Sequence, residues 1–116
     1  MKWNNKIKTA IYIGRFQPFH LGHKTIIEKI LKKDKQVAIL VMDSKGVGIK
    51  NPFSFKKVKK IIDESLLHVK GYYRIFKIPV VSRVVYGRKV GYKINKIKLS
   101  KKIEKISATS IRNKIL

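Results

Sequence analysis

The chain has 116 residues, enough for one domain with a single core (1–116) and too few for a separate substrate domain. Its 29 basic and 6 acidic residues give a formal net charge of +23, and the absence of cysteine excludes disulfides, thiolate zinc sites and cysteine nucleophiles. The start, Met1-Lys2-Trp3-Asn4-Asn5-Lys6, lacks the apolar run of a signal peptide, and no segment approaches the ~18 apolar residues that span a bilayer. A soluble, cytoplasmic protein with no membrane partner is expected.

A field of this sign attracts polyanions from nucleotides to nucleic acid without choosing among them. Only five of the cations are arginine, and the lysines occur in nearly every segment instead of forming one stripe. The pattern reads first as a lysine-coated surface. Aromatic residues do not interleave with the lysines as base-stacking platforms require.

Residues 8–14 read as a strand, with β-branched and aromatic residues and a glycine stop. From about residue 21 to 33, Ile26, Ile27, Ile30 and Leu31 recur at helical spacing opposite Lys24, Lys29, Lys32 and Lys33, which predicts the crossover helix of a βαβ unit. Residues 36–42 form a nearly continuous apolar run, as in a strand buried on both faces of a parallel sheet. The loop 44–52 contains Gly46 and Gly48, a spacing more typical of a turn than of a nucleotide fingerprint. Ser54 is placed to cap a helix reaching about residue 69 through Val58, Ile61, Ile62 and Leu66, with His68 solvated at its end.

Residues 72–78 and 83–86 then read as strands separated by Pro79, followed by a loop at 87–91. Residues 92–99 suggest a short strand leading into irregular chain, and a final helix begins near Ser107. The sum is an α/β domain with a doubly wound, mostly parallel sheet of about 4–5 strands. In such sheets the ligand sits off the carboxyl ends of the strands. One junction conflicts with this scheme. A parallel crossover needs a dozen or more residues, and the interval between the strands at 72–78 and 83–86 is far shorter than that.

Two stretches carry chemistry. The first is Gly14-Arg15-Phe16-Gln17-Pro18-Phe19-His20-Leu21-Gly22-His23. Gly14 permits a tight turn and Gly22 a close phosphate approach to the backbone. His20 and His23, three apart in a first helical turn, project to one side, where the helix's unpaired N–H groups also point. A helix terminus contributes only ~0.3–1 kcal/mol per charge, so charge-assisted hydrogen bonds from His20, His23, Arg15 and Lys24 are expected to carry more. The second stretch, Ile106-Ser107-Ala108-Thr109-Ser110-Ile111-Arg112, offers hydroxyls at a helix start and an arginine one turn in. Together they predict a triphosphate site.

Both stretches resemble the two signatures of the nucleotidyltransferase superfamily, most closely the archaeal-type nicotinamide-nucleotide adenylyltransferases and their short phage relatives. Asn51-Pro52-Phe53-Ser54 resembles the Asn-Pro-Phe-Thr of the same subfamily. The resemblance implies a Rossmann-like sheet and the transfer of a nucleotide from an NTP, foremost AMP from ATP, to a phosphorylated acceptor such as nicotinamide mononucleotide, with release of pyrophosphate. It implies catalytic contacts from His20, His23 and Arg15. Nucleotide and phosphate contacts would come from Gly14, Phe16, Gly22, Lys24, Gly87, Arg88, Ser107, Thr109, Ser110 and Arg112. Magnesium would be held by the substrate, with Asp43, at a strand end, the only weak candidate for a protein ligand.

The sequence also departs from that subfamily. Lys56-Lys57 and Lys59-Lys60 stand where longer relatives carry a Glu-Arg pair, and the chain is shortened around 78–82, where those relatives build much of the acceptor pocket. Two alternatives therefore stay open: a cytidylyltransferase using CTP, and a catalytically retired, basic nucleotide- or nucleic-acid-binding protein. Homo-oligomer formation is not decided by sequence.

Overall fold

The structure, a computed structural model, describes residues 2–48, 50–88 and 91–97, and these build three strands and two α-helices in strict alternation. The elements are β1 (Ala10–Gly14), α1 (Leu21–Leu31), β2 (Val37–Met42), α2 (Phe55–Ser65) and β3 (Tyr73–Ile78), with a 3₁₀ turn at Leu67–Val69. Among the described residues the sheet has the order β1-β2-β3 and both pairings are parallel. The register sets Tyr12 beside Ile39 and Ile39 beside Ile75.

Alternation along the strands explains the layers. Val37, Ile39 and Val41 of β2 are all fully buried and share one core with Ile27 and Ile30 of α1 and Val58 and Ile62 of α2. Both helices thus cover the same face. Each buried side chain of this size contributes ~1.5–3 kcal/mol, and the helices need that contribution, because isolated helices of this length are marginal in water. The opposite side of β2 is drier than solvent but less enclosed. Ala38 is buried while Leu40 and Met42 are half-buried, and Ile11 of β1 is 63% exposed. The strand predicted to be buried on both faces is therefore fully buried on the helix side only.

Several boundaries move. α1 ends at Leu31, and the helix predicted to reach about residue 69 stops at Ser65, where Leu66 turns the chain into the 3₁₀ segment. Ser54 does cap α2, its side chain accepting a hydrogen bond from Lys57 N–H at 3.2 Å. His68 is not simply solvated, since its Nε2 lies 3.2 Å from Glu28 Oε2 and ties the end of this region to α1.

The largest correction falls after β3. Residues 83–86 form no strand, and neither do 92–97. Val84 and Val85 are 68% and 72% exposed, so these β-branched residues found no neighbouring strand to pack against. The missing crossover is thereby explained, because residues 83–86 are not a strand that it must reach. The final helix expected near Ser107 lies outside the described residues. This is a parallel α/β architecture of Rossmann-like type with helices, among the described residues, on one face of the sheet. No helix among those residues is long and apolar enough to cross a membrane.

Candidate active site

The loop from β1 to α1 lies at the carboxyl end of the sheet and is built around one aromatic ring. Phe16 is 2% exposed and adopts a left-handed backbone, φ 53°. A bulky residue takes that conformation only when its surroundings repay the strain. Its ring packs edge-on against Tyr12 at 5.3 Å and His23 at 4.9 Å, with Phe19 at 5.7 Å. The ring also lies over Gly14, where an added Cβ would come within 2.7 Å of it. The glycine is thus required for close approach of Phe16 more than for the turn, whose positive φ falls on Phe16 itself. Phe16 is a core residue, so any nucleotide contact it makes falls to its backbone.

That packing fixes the two histidines. His20 is the N-cap of α1 and its Nδ1 accepts from Gly22 N–H at 3.0 Å, while His23 Nδ1 accepts from His20 N–H at 3.1 Å. The result is a reciprocal cap in which imidazoles replace the usual hydroxyl and carboxylate. Because each Nδ1 accepts, the proton of each neutral ring resides on Nε2. The rings stack with centroids 3.9 Å apart and a 30° interplanar angle, and Phe19 stacks on the other neighbour, His23, at 5.4 Å.

The electrostatics follow from this geometry. Burial holds His23 down to about 3, with a further contribution from neighbouring His20, and burial also lowers His20. Near neutral pH the free protein therefore offers two neutral N–H donors, so the charge in any hydrogen bond they make to phosphate comes from the phosphate oxygen. Gly22 N–H is engaged in the cap, so it is not among the unpaired helix amides. The cationic part of the site falls to Arg15, exposed just past β1, and Lys24, half-buried in the first turn of α1.

Sequence reasoning passed over Gln17. Its side chain is 4% exposed, with Nε2 donating to Phe53 C=O at 2.9 Å and Oε1 accepting from Phe53 N–H at 2.8 Å. Nε2 also lies 3.5 Å from Ser44 Oγ. One side chain thus joins the histidine loop to the Asn51-Pro52-Phe53-Ser54 segment that starts α2. Asn51 completes that segment, donating to Val47 C=O at 2.6 Å while its own C=O accepts from Gly46 N–H at 3.0 Å. A glutamine surrounded by Phe16, Pro18 and Phe19 was the available signal, because a buried polar group in an apolar loop must have partners.

The remaining candidates are dispersed or outside view. Gly87 and Arg88 are exposed in the segment after β3. Asp43 follows β2 and its Oδ2 lies 3.8 Å from Lys77 Nζ. Among the described residues no group of three or more His, Asp or Glu side chains could hold a metal ion, so Asp43 has no partners with which to form a protein cage. Ser107, Thr109, Ser110 and Arg112 lie outside the described residues.

Residues 11–58 match the cytidylyltransferase-like family. A nicotinamide-nucleotide adenylyltransferase of Methanosphaerula palustris is 30% identical over 81 residues, which is 64% of this chain and 45% of that protein. One from Sulfurisphaera tokodaii is 48% identical over 46 residues, 39% of this chain and 27% of its own. The chain spans less than half the length of these relatives.

Among solved structures, a bifunctional NMN adenylyltransferase/ADP ribose pyrophosphatase from Francisella tularensis superposes with a TM-score of 0.57 at 33% identity, covering 64% of this chain and 23% of that one. The same kind of protein complexed with AMP and a manganese ion gives 0.54 at 38% identity. The family match thus spans β1 to the start of α2, the stretch that carries both histidines.

Proposed function

We propose that the protein transfers AMP from ATP to a phosphorylated acceptor, with nicotinamide mononucleotide the foremost candidate, and releases pyrophosphate. The observation that carries this reading is the stacked pair His20 and His23, whose capped Nδ1 atoms leave two Nε2–H donors at a helix start beyond the carboxyl end of a parallel sheet. The names of its partial relatives and the AMP in a structural neighbour favour the adenylyl donor.

The chemistry asks little of a protein base. An oxygen of the acceptor phosphate attacks the α-phosphorus and forms the new P–O bond. The bond to the bridging oxygen of the β-phosphate breaks and its electron pair leaves with pyrophosphate. The acceptor oxygen is already ionised, so no proton needs to be removed. Catalysis is then positioning and stabilisation of charge. The Nε2–H groups of His20 and His23 donate to phosphate oxygens, and Arg15 and Lys24 supply positive charge. Ser107, Thr109, Ser110 and Arg112 would serve the outer phosphates. A divalent ion enters as part of the nucleotide substrate, coordinated by phosphate oxygens and water, since the described residues provide no cage for it. Magnesium is the expected ion.

Pyrophosphate release, measured with each NTP and a panel of phosphorylated acceptors in magnesium buffer, tests the reading. Turnover with ATP and nicotinamide mononucleotide that is lost in His20→Asn and His23→Asn supports it. Turnover with CTP alone would replace the adenylyl donor with a cytidylyl one. No release with any pair above the level of the two variants would remove the catalytic claim.

A further inference from the structure

We propose that the segment following β3 is a binding surface for single-stranded nucleic acid, independent of the histidine site. Three observations converge on it. The first is in the sequence: residues 65–103 contain 11 lysines and arginines and no aspartate or glutamate, so here the general excess of lysine becomes an uninterrupted basic tract. Elsewhere acids alternate with the cations, as Asp63 does with Lys59 at 2.8 Å; within the tract Lys77, on β3, lies 3.8 Å from Asp43.

The second is exposure. Arg83, Arg88, Lys93 and Lys96 are all exposed. Its described residues, 79–88 and 91–97, have no regular backbone pairing, and their exposed side chains can follow a phosphodiester backbone. The third is aromatic. Tyr86 and Tyr92, separated in sequence, meet edge to face with ring centroids 5.9 Å apart, and they remain 49% and 44% exposed. Chain folding thus supplies what the linear sequence did not show, two aromatic rings brought together within a stretch that carries four exposed cations. Single-stranded nucleic acid is recognised by this combination, a basic track with ring faces on which bases stack in any sequence. A duplex has no free base faces to offer such rings.

Fluorescence anisotropy of a labelled oligothymidylate with the full chain, between about 50 and 200 mM salt, tests the proposal. If the four cations of the segment engage phosphates, log affinity falls against log salt with a slope of about −3. Tyr86→Ala and Tyr92→Ala each weaken binding at fixed salt by about fivefold or more and leave the slope unchanged, whereas Tyr86→Phe and Tyr92→Phe bind like the parent. Arg83→Ala with Lys93→Ala flattens the slope.

The control is Lys56→Ala with Lys60→Ala on α2, which removes the same charge elsewhere on the surface. All these positions are exposed, and unchanged melting temperatures confirm folding. Equal flattening of the slope by the α2 pair, no loss on removing the tyrosine rings, or a duplex of the same length binding as tightly would each overturn the proposal. Binding that ignores salt would do so as well, since the cations would then not be engaging phosphates.

Discussion

Residues 10–78 and residues 79–97 are built from similar amino acids and end in opposite states. The first region alternates strand and helix, and the apolar side chains on its helix-covered face find partners, so that Val37, Ile39, Val58 and Ile62 are fully buried. The second has β-branched residues in abundance, yet Val84, Val85 and Ile94 lie 64–72% exposed. The difference teaches that strand propensity is realised only where a neighbouring strand and a covering layer exist. It also assigns the two regions different kinds of chemistry. The packed region can hold a pre-organised site, whereas the open one can only offer its side chains to something that arrives.

The contrast is broken most severely at Phe16. Phe16→Ala removes the ring against which Tyr12, Phe19 and His23 pack, and its expected cost is ~3–5 kcal/mol in urea unfolding. A loss below ~1 kcal/mol would mean that the aromatic cluster is not part of the cooperative core. Next comes Gln17→Leu, which strands Phe53 N–H and C=O in a buried place at ~1–3 kcal/mol for each unsatisfied group. Gln17→Glu keeps the acceptor for Phe53 N–H and loses only the donor, so it should fall between the leucine variant and the parent. If both variants melt with the parent, the link between the two loops is not structural.

Acidification probes the same region without mutation. His23 is held down to about 3 against an ordinary value of 6.5, so the unfolded chain binds this proton between those limits and the folded chain does not. Stability is therefore full above about pH 6.5 and falls as the pH drops toward about 3. His23→Gln should flatten that part of a stability-against-pH curve, and an unchanged curve would assign the loss to other groups. A smaller effect is expected at the cap. His20→Ala should cost ~0.5–2 kcal/mol and His20→Asn much less, since asparagine is a good N-cap. Both should lose turnover alike if the imidazole Nε2–H is what the substrate needs. Least of all, Val85→Ser in the open region should change stability by no more than ~0.5 kcal/mol, and a larger loss would show that this region is packed after all.

What could be read in advance follows the same division. The elements up to Ile78 were legible because each repeats an apolar pattern with the period of its own geometry, and the structure moves their ends by only a few residues except at α2. There the apolar spacing through Leu66 continued past the true end at Ser65, because the 3₁₀ turn keeps nearly the same periodicity. Residues 83–86 misled because composition carries no information about whether a partner strand is present. At the site, the spacing of His20 and His23 gave their common direction, but not that their Nδ1 atoms cap the helix or that burial keeps them neutral. Those properties arise from Phe16 and Phe19 packing around them, and Gln17 acts through a contact 36 residues away in sequence.

The reciprocal cap has a consequence for discrimination. A free imidazole exchanges its proton between two nitrogens and can greet a ligand as giver or taker. Here such an exchange would cost the first turn of α1 its two caps, so both rings are locked as givers. Oxygen atoms that carry no hydrogen can be met on these terms, and hydroxyls or amines that need a taker cannot. The start of one helix thus sorts ligands by polarity before charge or shape has been consulted.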